Sequence, residues 1–325
     1  MRQADVDFVV RTDLAIEERE RVWESGSEIA GVRMREWEAA DAGIRVTEVL
    51  VCDERGEEAL GKPVGVYLTL DAPSLAKKDE DYHREISVQL AKVIKKLLPK
   101  HKEEMSVLVV GLGNRDVTPD ALGPRVVDNL FITRHILKEY GKYAFGEGKV
   151  NRISSIVPGV MAQTGMESLE IIRGIMKETQ PDLIIAVDAL AARSTKRLNR
   201  TIQVTDTGIN PGSGVGNHRH GLNEKSLGVP VISIGVPTVV DAATIVNDTM
   251  FNLVSAMSQS SALNHVGNSL GELNDAEKYE LIRELLSPNL NAMFVTPKDI
   301  DESVKRLSFT VSEGLNIAFM GGKPL

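Results

Sequence analysis

The run DLIIAVDALAARS, residues 182–194, decides the fold. Its apolar stretch Leu183-Ile184-Ile185-Ala186-Val187 ends on Asp188. A nearly continuous apolar run of this length predicts a parallel strand covered on both faces. The residues after Asp188 read as the start of a short helix. Outward from this run the pattern repeats. SVLVVGL (106–112), RISSIVP (152–158), RTIQVTD (200–206) and PVISIGV (230–236) read as further strands. Helical spacing lies between and after them, over residues 120–140, 165–178 and 239–257, and again over 276–286, 297–306 and 308–319. This alternation predicts an α/β fold: a doubly wound, mostly parallel sheet with flanking helices over residues 106–258, and C-terminal helices over 275–320. Residues 258–274, rich in Ser, Asn and Gly, read as a mobile loop.

Ahead of this core, GVRMREWEA (31–39), IRVTEVLVCD (44–53) and VGVYLTLDA (64–72) alternate apolar and polar residues. They predict a small N-terminal antiparallel β unit over residues 31–71. Residues 79–98 have the spacing of an amphipathic helix. The first 25 or so residues are charged and mixed, with no core of their own.

The 325 residues suffice for one large α/β domain. The net charge of −8 argues against nucleic acid as a direct partner, because phosphate neutralisation needs a basic face. A single cysteine, Cys52, excludes an intrachain disulfide and fits a reducing cytoplasm. Its place in an alternating strand suggests a buried or half-buried structural thiol. No stretch reaches the roughly 20 apolar residues of a membrane span, and the N-terminal apolar run is too short and too charged for a secretory signal.

Chemistry in an open α/β sheet gathers beyond the carboxyl ends of its strands. Asp188 stands there, and so does Asp120, just after Thr118-Pro119. If their strands are neighbours, the two carboxylates meet above the sheet edge. One then stays ionised as a general base for water while the other, protonated, polarises a carbonyl. Asp is also a favoured helix N-cap, both positions fit a cap, and one role does not exclude the other. Asp206 and Asp241 follow further strands, where turn or cap roles also fit. His218 joined to Asp120 and Asp188 would make a metal set, although the spacing matches no helical zinc motif. The two glycine-rich loops, 111–113 and 212–216, invite a nucleotide-binding module. The dinucleotide fingerprint fails at Asp116, where its third glycine belongs, and no Gly-Lys-Ser/Thr follows for a phosphate loop.

Six segments, taken together, carry a resemblance. VRTDLAIE (10–17), VVGLGNRDVTPDALGPRVVDNLFITRH (109–135), IVPGVMAQTGMES (156–168), IIAVDALAARS (184–194), DTGINPGSGVGN (206–217) and GVPTVVDA (235–242) resemble the germination protease family of spore-forming bacteria. The resemblance implies an atypical aspartic-type endopeptidase, made as a zymogen, that degrades small acid-soluble spore proteins at germination. It implies a homotetramer without a cofactor, in the cytoplasm of the forespore and the spore core. It assigns the two essential aspartates to Asp120 and Asp188. It implies a propeptide over residues 1–13, a peptidase domain over 14–325, and self-processing between Asp13 and Leu14. The acid before the cut suggests a basic pocket, with Arg193 or Arg219 as candidates. Asn114 and Thr118 fall in the matching loop as possible substrate-site residues. The fold is also similar to that of hydrogenase-maturation peptidases. That likeness keeps a metal-dependent alternative with Asp120, Asp188 and His218.

Overall fold

The computed structural model describes residues 12–23, 29–39, 43–76, 80–99, 102, 104–146, 149–212, 220–271 and 293–320. Helix α1 (Ala15–Trp23) precedes a three-stranded meander, β1 (Val32–Ala39), β2 (Ile44–Val51) and β3 (Gly65–Asp71), with α2 (Glu54–Leu60) between the last two. Asp53 begins α2 by accepting the amides of Arg55 and Gly56, and Gly61 ends it in the left-handed conformation. After α3 (Glu80–Leu97) come β4 (Ser106–Gly111), α4 (Leu122–Asp128), α5 (Arg134–Tyr140) and β5 (Arg152–Ile156). Then follow α6 (Met161–Thr164), α7 (Ser168–Thr179), β6 (Leu183–Ala192), β7 (Thr201–Thr205) and α8 (Glu224–Leu227). The chain continues through β8 (Val231–Asp241), α9 (Ala242–Gln259), α10 (Asn264–Gly271), β9 (Phe294–Val295) and α11 (Ile300–Met320).

Among the described residues the strands form one nine-stranded sheet in the order β1-β2-β3-β7-β8-β6-β4-β5, with β9 on β8. The strands β8, β6, β4 and β5 are parallel, as their apolar runs predict. One face is covered by α3, α4 and α11, whose Ile86, Leu90, Val126, Val304, Leu307 and Leu315 pack in one core with Val107, Val109, Ile185, Val187 and Ile234. The other face is covered by α7 and α8, where Leu169, Ile172 and Leu227 meet Leu108, Val110, Ile184 and Ala186.

The sheet as a whole is mixed rather than mostly parallel. The connection from Ala192 to Thr201 is too short for a crossover helix, which needs a dozen or more residues. Strand β7 therefore returns antiparallel to β8 and also pairs antiparallel with β3. That pairing extends the core sheet with the N-terminal meander, which is antiparallel as expected over residues 31–71.

Other expectations need correction. No helix starts after Asp188: β6 runs on to Ala192 beside an equally long β8. The helix propensity of Ala-Leu-Ala-Ala yields to strand pairing. The stretch over 120–140 divides into α4 and α5. Residues 258–271 are largely helical, with Ser260 turning α9 into α10 by accepting the Asn264 amide on its carbonyl. The spacing over 297–319 belongs to the one helix α11, and the helix expected over 276–286 lies outside the described residues. Cys52 is exposed, because β2 ends at Val51 and the thiol falls in the turn into α2. Among the described residues no helix is long and apolar enough to cross a membrane.

Candidate active site

The carboxyl end of β4 lies against the middle of β6. Gly111 pairs with Val187, and Leu112 donates its amide to the Val187 carbonyl at 2.8 Å. Asp188, the next residue of β6, therefore stands where β4 gives way to its loop. It is 5 % exposed, and its Oδ1 accepts the Ala189 amide at 2.9 Å. The neighbouring strand offers Gly235 as its partner.

Asp120 comes to the same place along the β4–α4 loop. It ends a 3-10 turn, Thr118–Asp120, and its Oδ2 accepts the Asn114 amide at 2.7 Å. The turn is tied to β8 where the Thr238 hydroxyl donates to the Pro119 carbonyl. It is tied to α11 where the Thr118 hydroxyl donates to Asp301 at 2.8 Å. Gly113, at φ +111°, makes the fold of this loop possible: a Cβ there would lie 2.0 Å from the Asp120 carbonyl oxygen. A Cβ on Gly111 would meet the Gly123 carbonyl at 2.4 Å. These glycines admit the close approach of the chain's own backbone. Neither aspartate caps a helix in the way the sequence suggests: Asp188 is within a strand, and the residue before α4 is Ala121.

Asp120 and Asp188 line one cavity of about 340 Å³. Asp13 lines it too, together with Leu190, Asn210 and Thr238. A smaller cavity of about 150 Å³ shares Asp13, Leu190, Ile209 and Asn210 and is lined further by Lys62, Tyr67 and Gln203. Asp13 thus stands between the two. Burial pushes the Tyr67 phenol up to about 12.

Segment 12–17 is laid along the end of β6 as a strap. The Asp13 amide donates to the Ala191 carbonyl at 3.1 Å, and the Ala191 amide donates to Asp13 Oδ2 at 2.9 Å. Lys62 donates to the Thr12 carbonyl at 3.1 Å. Leu14 and Ile16 are buried with Leu190, Ala192 and Val240. Glu17, 3 % exposed, is caged. It accepts the amides of Arg193 at 2.7 Å and Ser194 at 3.0 Å and the Thr12 hydroxyl, and it pairs with the Arg197 guanidinium at 3.5 Å. Burial nonetheless raises the Glu17 carboxyl above its ordinary value, with those four partners opposing the shift. From Leu14 onward the N-terminal segment, without a core of its own, buries an apolar pair against the sheet.

The remaining candidates are scattered. Arg193 meets an acid through its backbone amide, and that acid is Glu17. Asp206 follows the antiparallel β7 and so lies toward the other end of the sheet. Its Oδ1 accepts the Val66 amide at 2.8 Å, and burial raises its carboxyl. Asp241 ends β8, paired with Phe294 of β9. Neither of these two is among the residues lining the larger cavity. His218 and Arg219 lie outside the described residues. His220 is exposed and meets Glu167 at 2.6 Å. Among the described residues no cluster of three or more His, Cys, Asp or Glu side chains is arranged to hold a metal ion. The residue missed by sequence reasoning is Gln203, whose carboxamide touches the strap. Its one signal was a long polar side chain inside the strand TIQVT.

A peptidase family model described as germination protease matches residues 9–269 and 255–322. The chain is 49 % identical over 314 residues to a germination protease of Caldanaerobacter subterraneus subsp. tengcongensis, covering 96 % of this chain and 95 % of the relative. It is 47 % identical over 311 residues to that of Clostridium tetani, covering 95 % of each. It is 39 % identical over 358 residues to that of Oceanobacillus iheyensis, covering 98 % of this chain and 96 % of the relative.

Proposed function

The chain belongs to the germination protease family, and from that membership we propose that it is an endopeptidase using Asp120 and Asp188 on small acid-soluble spore proteins. The observation that carries the assignment is the cavity that both carboxylates share with Asp13. One carboxylate takes a proton from water, and the water oxygen attacks the peptide carbonyl carbon. The other, protonated, polarises the carbonyl oxygen. The carbon–nitrogen bond breaks as the leaving nitrogen takes a proton, giving a carboxylic acid and an amine.

The same reading makes the chain a zymogen that cuts itself between Asp13 and Leu14, removing residues 1–13 from the peptidase domain 14–325. Its support is the placement of Asp13 at the cavity. Family membership supports a homotetramer that works in the forespore and spore core. The parallel half of the sheet, with Asp120 in the loop after β4 and Asp188 within β6, supports the likeness to hydrogenase-maturation peptidases. The test is cleavage of a purified small acid-soluble spore protein by Asp120→Asn and Asp188→Asn chains. Both are expected to fold and to lose cleavage in trans and in cis. A fully active Asp188→Asn protein refutes the assignment.

A further inference from the structure

Resting on the reading that Asp13–Leu14 is the bond cut, we propose that Gln203 is a catalytic residue of self-cleavage that binds and polarises the carbonyl of that bond. Gln203 is 6 % exposed in the middle of β7. Its Nε2 donates to the Asp13 carbonyl oxygen at 3.2 Å, and its Oε1 accepts the Ala15 amide at 2.8 Å. The orientation of the carboxamide follows from its partners. A backbone amide only donates and a carbonyl only accepts, so the NH2 end must face Asp13. The carboxamide therefore brackets the Asp13–Leu14 peptide, one end on its carbonyl and the other on the amide of Ala15.

The sheet puts this bracket level with the carboxylates. Gly235 of β8 is the Cα partner of Asp188 on one side and of Gln203 on the other. The three residues form one row, and paired residues in a row project to the same face. Two strand spacings separate Asp188 and Gln203, roughly 10 Å between backbones. Gly235 contributes no side chain between them. Leu190 occupies that space, its Cδ1 2.3 Å from where a Cβ on Gly235 would lie, and it packs with Leu14. Asp13 lines both cavities, the smaller together with Gln203 and the larger together with Asp120 and Asp188.

When water adds to the Asp13 carbonyl carbon, the carbonyl oxygen gains negative charge. The Nε2–H is already aimed at that oxygen, and a preorganised donor of this kind is worth more in the transition state than in the ground state. The proton from water passes to a carboxylate. The carbon–nitrogen bond then breaks as the Leu14 nitrogen is protonated.

The test follows self-cleavage of the full chain by mass spectrometry. Gln203→Met keeps the volume and removes both hydrogen bonds, and is expected to slow the cut by about 10²-fold or more. Gln203→Glu still accepts the Ala15 amide but donates to Asp13 only when protonated. Its rate relative to the unaltered chain should therefore recover as pH falls, a profile that a packing role does not produce. Wild-type rates in Gln203→Met, or a Gln203→Glu ratio that is flat with pH, would overturn the proposal. If Gln203→Met fails to melt cooperatively, the pH ratio of Gln203→Glu decides. An Asp188→Asn chain that still cuts itself defeats the underlying reading. An inert Asp188→Asn chain beside an unimpaired Gln203→Met chain defeats this proposal alone.

Discussion

The Thr238 hydroxyl donates to the Pro119 carbonyl at 2.7 Å, which fastens the Asp120 turn to the strand beside Asp188. Thr238 is 1 % exposed, and Thr238→Val takes the donor from the half-buried Pro119 carbonyl. The expected cost is about 0.5–1.5 kcal/mol in urea unfolding. Peptide cleavage should fall with it, because the turn that aims Asp120 is loosened. Thr238→Ser should retain both.

Gly113→Ala tests the loop more severely. The added carbon would lie 2.0 Å from the Asp120 carbonyl oxygen, on a residue already at φ +111°. Asp120 has to move, and kcat should drop at least about 10-fold, since small misplacements of catalytic groups are costly. Gly228→Ala is the control: its φ is +73°, but nothing lies within 4 Å of the new carbon. That change should cost about 1–2 kcal/mol of left-handed strain and leave kcat intact.

Glu17 predicts a pH dependence of strap docking. Burial raises its carboxyl above the ordinary 4.5, against the pull of Thr12, the Arg193 and Ser194 amides and Arg197, which also binds Glu20 at 2.5 Å. The folded state therefore favours the protonated acid more than the unfolded state does. The contribution is full below the ordinary value and is lost as pH rises through the raised one. Thermal melts of Glu17→Gln should lack this part of the pH slope. A slope equal to that of the unaltered chain would show that Glu17 does not titrate in this range.

Leu14→Ala should weaken the strap without touching the carboxylates. Leu14 is fully buried among Leu190, Ala192 and Val240, and such truncations cost about 2–5 kcal/mol. Hydrogen exchange in α1 should accelerate well before exchange in β4 or β6.

A site built on two carboxylates should cleave peptide unchanged in the presence of a strong chelator. Activity that is lost with chelator and restored by a divalent ion would favour the metal-dependent alternative that includes His218.

Local patterns made much of this architecture readable. The unbroken apolar runs of β4, β6 and β8 mark strands buried on both faces, and they brought Asp120 and Asp188 forward as a pair. What pattern cannot carry is pairing between distant segments. The direction of β7 depends on a short return loop, and its union with β3 joins residues more than a hundred positions apart. Asp188 looked like the last residue of its strand because Ala-Leu-Ala-Ala favours helix, and only β8 alongside keeps it extended. Gln203 is hidden from such patterns for the same reason: it is a polar group whose partners lie far away in sequence, on the strap.

The strap is gripped on both sides of the Asp13–Leu14 bond, and the grips are unequal. Upstream, among the described residues, the hold consists of Asp13, Thr12 and their hydrogen bonds. Downstream, it consists of two buried apolar side chains, a caged acid and the whole of α1. Severing that one bond would therefore leave the longer remnant seated. A fresh chain end, bearing an amino group, would be born beside the carboxylates rather than swung away into solvent.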